Sequence, residues 1–313
     1  MVLAVSLLLG RYPSATFLRP GSLAGDEMAR RLLWNIRLPR ILTALMLGVS
    51  LAAAGTVFQT LFANPLVEPG FLGVSQGAAF GACLGIVCFG GALFAVQGLA
   101  MLCAFLGLGG AVLLARRARF GGWVLRLVLS GIAVSALFSS GVGILKYVAD
   151  PLRQLPEITF WLLGSLSAVT WRQARTVAPI VVPALFLIYR MRWRLNLLSL
   201  DDVTVFSLGA SPGRERAVLL AAAVAATAAV VSVAGIVGWI GLIVPHLARR
   251  LVGADTSRAL PASALMGGLA AVVCDDVART ALAGEIPLGI LTSLLGAMAF
   301  LVMIRSADFQ GER

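Results

Sequence analysis

The stretch that most constrains this chain is Ile41 to Phe62, which contains no charged residue. It opens with Asn35-Ile-Arg37-Leu-Pro-Arg40 and closes with Asn64-Pro65-Leu66-Val-Glu68-Pro69-Gly70. About 20 residues of helix cross the ~30 Å of bilayer hydrocarbon, so this run spans a membrane and Arg37 and Arg40 mark one face. At the other end two prolines and a glycine forbid a continuing helix, because proline lacks the ladder N–H and biases the residue before it out of the helical region. A second apolar run begins at once from Phe71. The two helices therefore meet in a proline-braced elbow. Irregular backbone of that kind is tolerated at membrane depth only where protein covers it or water lines it, which makes the elbow a candidate gate.

The rest of the chain is of the same character. Of its 313 residues 59% are hydrophobic and only 12% charged, and mean hydropathy is +0.95. This is an all-α polytopic membrane protein. Further apolar runs lie at 71–89, 92–115, 123–145, 174–191, 217–235, 236–247, 261–278 and 286–304. With the short apolar start, the count is about ten helices in one transmembrane domain over 1–313. Met1 to Leu9 is too short to cross and is read as a truncated first helix. Residues 155–166 suit a half-helix at the interface, with Trp161 and Trp171 as belt anchors. Gly77, Gly81 and Gly85 recur on one helical face, a stripe for close helix packing.

Net charge is +11, and Lys146 is the sole lysine among 25 basic residues. The arginines are scattered between apolar runs, which argues against nucleic acid and for lipid headgroups or an acidic partner. With the first helix running outward, 14 of the 25 basic residues fall inside, a weak positive-inside bias. The outer excess comes from residues 11–40, whose six arginines call for an acidic partner on that face. Cys83, Cys88, Cys103 and Cys274 sit in apolar runs without metal-site spacing and read as packing residues.

Chemistry is mostly excluded. The single lysine lies in Gly-Ile-Leu-Lys146-Tyr-Val, which is no phosphate-binding loop, so the chain hydrolyses no ATP itself. His246, the only histidine, cannot build a histidine metal cluster and reads as a structural residue at a helix end. Asp275 and Asp276 stand four and three residues from Arg279, the spacing of an ion pair on one helical face. Residues 201–216 form a short amphipathic piece, a Gly209 break and a charged exit, suited to lie on the membrane face and meet a soluble partner or to be an ordinary solvated loop.

Four segments in order, Ile36-Arg-Leu-Pro-Arg40, Asn64 to Ser75, Gly238-Trp-Ile-Gly-Leu-Ile-Val-Pro-His246 and Glu285-Ile-Pro-Leu-Gly-Ile290, closely resemble the FecCD family of bacterial importer permeases for iron-siderophore, haem and cobalamin. The resemblance implies a type II ABC importer permease fold, working as a homodimer in the bacterial inner membrane. It implies two ATPase subunits inside, which carry ATP and magnesium, and a substrate-binding protein outside; no cofactor is expected on this chain. By the same resemblance, Arg37, Arg40 and Arg279 meet acidic residues of the binding protein. Asn64, Pro65 and Leu66 form the inner constriction, and Ser207, Leu208, Gly209 and Ala210 couple to the ATPase. Val124 and Leu125 stand where relatives have hydroxyl residues at a second constriction, so the resemblance makes them gate candidates that depart from the family pattern.

Two other classes compete. An ion-coupled transporter needs carboxylates at mid-membrane, and Glu68, Asp275 and Asp276 are expected near the faces. An intramembrane enzyme needs a catalytic pair that a lone His246 does not supply.

Overall fold

The computed structural model describes residues 2–10, 16–17, 26–282 and 284–305. Arg11, Arg19 and Arg313, counted above in the charge balance, lie outside them. The described chain is helical apart from a two-residue antiparallel pairing of Leu9–Gly10 with Thr16–Phe17. The helices are α1 Val2–Leu8, α2 Glu27–Leu32, α3 Leu38–Leu61, α4 Val74–Phe89, α5 Leu93–Arg117, α6 Trp123–Val148 and α7 Gln154–Leu163. They continue as α8 Trp171–Arg190, α9 Arg192–Leu198, α10 Asp202–Ser207, α11 Pro212–Ala234, α12 Ile240–Val252, α13 Thr256–Thr280 and α14 Leu288–Arg305.

Each apolar run named above is one of these helices, and the half-helix expected at 155–166 is α7. Glu27–Leu61, α5, α6, α11 and α13 are long and apolar enough to cross a bilayer. Helices α8 and α9 pass the same test together but are bent by 58° at their junction, as in a broken span or a re-entrant loop, while α4 and α14 are shorter apolar helices. Helix α3 is the hub, because Ala52, Ala53, Ala54, Val57 and Phe58 bury every side of it. A helix that is apolar all round belongs in the centre, and α13, α11, α12 and α8 surround it.

The glycine stripe packs as its spacing predicts. A Cβ at Gly77 would lie 2.3 Å from the Cys103 carbonyl oxygen, and one at Gly81 would lie 2.1 Å from that of Leu99. Without side chains, α4 and α5 approach backbone to backbone, which is how helices gain dispersion energy in lipid.

The chain breaks twice where the sequence marks it. Between α3 and α4 the elbow makes one short 3-10 turn, Pro69–Leu72, and leaves through Gly73 at φ 79°. Between α11 and α12, Gly235 at φ 71° ends the helix, and residues 235–239 run unwound before α12 starts behind Trp239. Trp239 holds φ 70°, a left-handed conformation that costs a bulky residue ~1–3 kcal/mol and persists only when its surroundings enforce it.

Substituting Gly81 by Leu is expected to lower stability by about 1–3 kcal/mol through overpacking against α5. Gly98→Ala, at a glycine with nothing within 4 Å, serves as the neutral control. Thermal unfolding of the purified protein in detergent reads both.

Candidate gate, coupling surface and outer arginine cluster

Arg37 and Arg40 lie at the start of α3, and Arg279 near the end of α13. All three are buried, at 6 to 9% exposure. Arg37 Nη1 donates to the Leu7 and Leu8 carbonyls at 2.9 and 3.1 Å. Arg40 divides its fork: Nε and Nη2 grip the Asp275 carboxylate at 2.9 Å each, while Nη1 donates to Glu285 Oε1 at 2.9 Å. Arg279 donates to Asp276, to the Leu9 carbonyl at 3.0 Å and to the Ser6 carbonyl at 2.5 Å. Ser6 Oγ donates in turn to Asp276 Oδ1 at 2.6 Å.

The ion pair expected from local spacing is therefore present, but it is divided. Asp276 pairs with Arg279, whereas Asp275 stands 4.0 Å from Arg279 and takes Arg40, 235 residues earlier, as its close partner. Helical spacing could not have revealed that second partner. The guanidinium groups expected to face an outer partner are thus held by the chain's own carboxylates and carbonyls. Glu285 is the one carboxylate of this cluster that remains accessible, with its side chain 41% exposed.

At the start of the elbow Asn64 and Leu66 are exposed and Pro65 is half-buried. The Leu66 N–H donates to Asn64 Oδ1 at 2.9 Å, a turn closed by the asparagine's own side chain. Behind it Gln59 fastens α3 to α12. Its Nε2 donates to the Leu242 carbonyl at 3.0 Å, and its Oε1 accepts from Arg249 at 2.6 Å. His246 corrects the sequence reading: it lies inside α12 and lines a crevice with Pro65, Leu66 and Phe300 rather than ending a helix. Val124 packs against the larger core cluster, whereas Leu125 is 50% exposed at the start of α6.

Glu68 needs a second correction. The residue does not sit at a membrane face but beside Leu51, midway along α3, on a cavity of about 330 Å³. The elbow thus climbs from Asn64 into the interior, and its Glu68 and Pro69 share that cavity with the unwound residues before α12.

The 201–216 segment is a built platform. Asp201 caps α10, accepting from the Thr204 N–H at 3.0 Å and the Thr204 hydroxyl at 2.7 Å. Those bonds hold its carboxyl below the usual aspartate range. The stabilisation is therefore complete above the ordinary aspartate pKa and is lost only as pH falls through the lower folded value. Val205 plugs into the core, while Val203, Phe206 and Leu208 stand 80%, 74% and 58% exposed. Ser207 is exposed, Ala210 is buried, and Gly209 turns the chain at φ 79° with open space around it. Cross-ties fix the platform to its neighbours: Arg216 pairs with Asp202 at 2.5 Å, and Arg194 pairs with Glu215. Asn196 of α9 donates to Asp255 at 2.6 Å and accepts from the Thr256 N–H at 2.9 Å. The amphipathic piece was legible in the sequence; the ties to α9 and α13 were not, since they join polar residues far apart in the chain.

Comparison with known proteins fits this architecture. The chain is 37% identical over 310 residues to the molybdate import system permease protein MolB of Haemophilus influenzae, covering 96% of this chain and 90% of that one. It is 39% identical over 278 residues to the hemin transport system permease protein HmuU of Yersinia pestis, covering 86% and 82%. A solved structure of a metal-chelate type ABC transporter in an inward-facing conformation superposes with a TM-score of 0.89 at 37% identity, covering 97% of this chain and 94% of that one. PsaBC from Streptococcus pneumoniae shares the fold at a TM-score of 0.59 and 16% identity, covering 93% and 96%. The FecCD transport family matches residues 1–306, and this chain belongs to the FecCD transport family.

Proposed function

We propose that the chain is the transmembrane permease subunit of an ATP-driven importer that brings an iron chelate, haem or cobalamin across the bacterial inner membrane. It works as a homodimer, with two ATP-binding cassette ATPases on the inner face and a substrate-binding protein on the outer face. The observation that carries this reading is the inner platform. Three large apolar side chains, Val203, Phe206 and Leu208, stand in water on a segment that hydrogen bonds and ion pairs hold rigid. An exposed apolar knob on a fixed base is what a soluble partner's groove receives.

The dimer is supported by α6 and α14. Leu137 and Ile144 on α6 and Leu301 and Val302 on α14 are all more than 60% exposed, two apolar faces that lipid or a second copy must cover. Cargo is the finer question, and the names of the relatives range over molybdate, hemin, hydroxamate and cobalamin systems. A bulky chelate fits best with a path lined mainly by uncharged groups around the elbow. The ion-coupled alternative draws no support from Asp275 and Asp276, since both are neutralised by arginines within the chain.

Purified alone, the chain is expected to show no ATP hydrolysis, because its one lysine, Lys146, lies within α6 and away from any phosphate loop. Hydrolysis that survives removal of contaminating ATPases refutes the assignment.

Gly209→Val forces a β-branched residue to φ 79°, and Phe206→Asp puts a charge on the knob. Both variants are expected to insert normally while transport and permease-dependent ATPase stimulation fall together. Retained coupling in both moves the ATPase contact elsewhere.

For the outer face, reversing Arg40 is a poor test, since a glutamate there would face Asp275 and unfold the cluster. Glu285→Gln is the better one. It frees one edge of Arg40 for an incoming carboxylate, so association with an acidic binding protein is expected to tighten a few-fold at low salt and not at high salt. Unchanged association at low salt removes Arg40 from the docking surface.

A further inference from the structure

Helix α8 carries one exposed stripe, Arg172, Arg175, Pro179, Val182 and Phe186, spaced three and four residues apart. Neighbouring elements shape its basic end. The Arg172 guanidinium lies 4.5 Å over the Phe94 ring at the start of α5, and that of Arg175 lies 5.7 Å over Trp171. Trp171 Nε1 in turn donates to the Trp34 carbonyl at 2.7 Å, so the cluster stands on the membrane face that Arg37 and Arg40 mark. Thr176 donates to Gln97, one turn on from Phe94, at 3.3 Å and fastens α8 to α5 there. No carboxylate pairs with Arg172 or Arg175 among the described residues. Two cations three residues apart repel, and the positive end of the helix adds to the conflict. An anion held by both removes it, and a guanidinium stacked on a ring keeps its N–H edge free to bind one. Beyond the arginines the stripe turns apolar, with Val182 and Phe186 60% and 64% exposed. From Arg175 to Phe186 the helix runs about 16 Å at 1.5 Å per residue. An anion joined to a long apolar tail matches that order of surfaces, whereas an acidic protein segment matches only the first part.

We propose that this stripe binds an anionic phospholipid, with its phosphate at Arg172 and Arg175 and an acyl chain along Pro179, Val182 and Phe186. Trp171 and the exposed Trp34 and Phe94 flank the arginines as aromatic rings do at headgroup level. A choline or ethanolamine headgroup brings a cation of its own beside the two arginines, so a lipid of net negative charge is favoured. Because the site is built by α5, α8 and the residues just before α3, the bound lipid clasps three elements at one membrane face. The proposal rests neither on the cargo nor on the importer reading.

The test uses the full chain, purified in mild detergent and stripped of lipid, then titrated with dioleoylphosphatidylglycerol or dioleoylphosphatidylcholine. Native mass spectrometry counts the lipid bound. Phosphatidylglycerol is expected to be retained at concentrations where phosphatidylcholine is lost, with half-saturation about tenfold higher in the Arg172→Gln, Arg175→Gln double variant. High salt is expected to narrow that difference. Phe186→Ala is expected to weaken binding of the dioleoyl lipid and to leave dihexanoylphosphatidylglycerol, whose chains end short of that residue, unchanged. Equal retention of the two lipids by the parent, or a preference that the double variant keeps, overturns the proposal. Displacement of the lipid by equimolar inorganic phosphate also overturns it, leaving a simple anion site. So does a double variant that keeps its lipid preference and loses only its association with the substrate-binding protein, which assigns the arginines to a protein surface. Should the double variant fail to fold, Arg175→Gln alone and Phe186→Ala decide.

Discussion

In hydrocarbon every backbone N–H and C=O must find a partner within the protein, and this rule governs how the molecule can be interrupted. The elbow after α3 and the unwound stretch before α12 are two such interruptions, and they meet. Gln59, just before the elbow, donates to the carbonyls of Gly241 and Leu242 in the first turn of α12. Neither break is stable in lipid alone. Juxtaposed, they are tied by the Gln59 bonds and border a half-open cavity between them.

The same logic governs the charges. Taking an ion out of water is costly unless it is paired and hydrogen-bonded, so the carboxylates on α13 sit within the reach of Arg40 and Arg279. Arg37 has no carboxylate in hydrogen-bond range among the described residues, and it is satisfied by two carbonyls at the end of α1. The chain's start is thereby fastened to α3 and α13 by polar contacts, in a region where apolar contacts confer little specificity.

Much of this was legible in the sequence because it follows from local rules. Charge-free runs gave the helices, Asn64-Pro65 and Pro69-Gly70 gave the elbow, and the spacing of Asp276 to Arg279 gave an ion pair. The misses share one physical reason, which is that they depend on where distant segments meet. Glu68 reads as a face residue because the chain turns there, and nothing local says that the elbow climbs inward. Asp275 reads as a partner of Arg279 because the i, i+4 rule sees only its own helix. His246 follows a proline and reads as a helix end, yet α12 accommodates Pro245 within its first two turns and continues to Val252.

Helix α13 has a mechanical consequence. Thr256 at its start is bound to Asn196 of α9, and Asp275 and Arg279 near its other end are bound into the arginine cluster. Its 25 residues make a rod of about 37 Å with polar clamps at both ends and small residues, Gly267 and Gly268, against α3 between them. Pro261 interrupts the hydrogen-bond ladder within its first two turns, while the glycine contact holds its middle against α3, so two polar clamps and one close contact fix the helix at three points along its length.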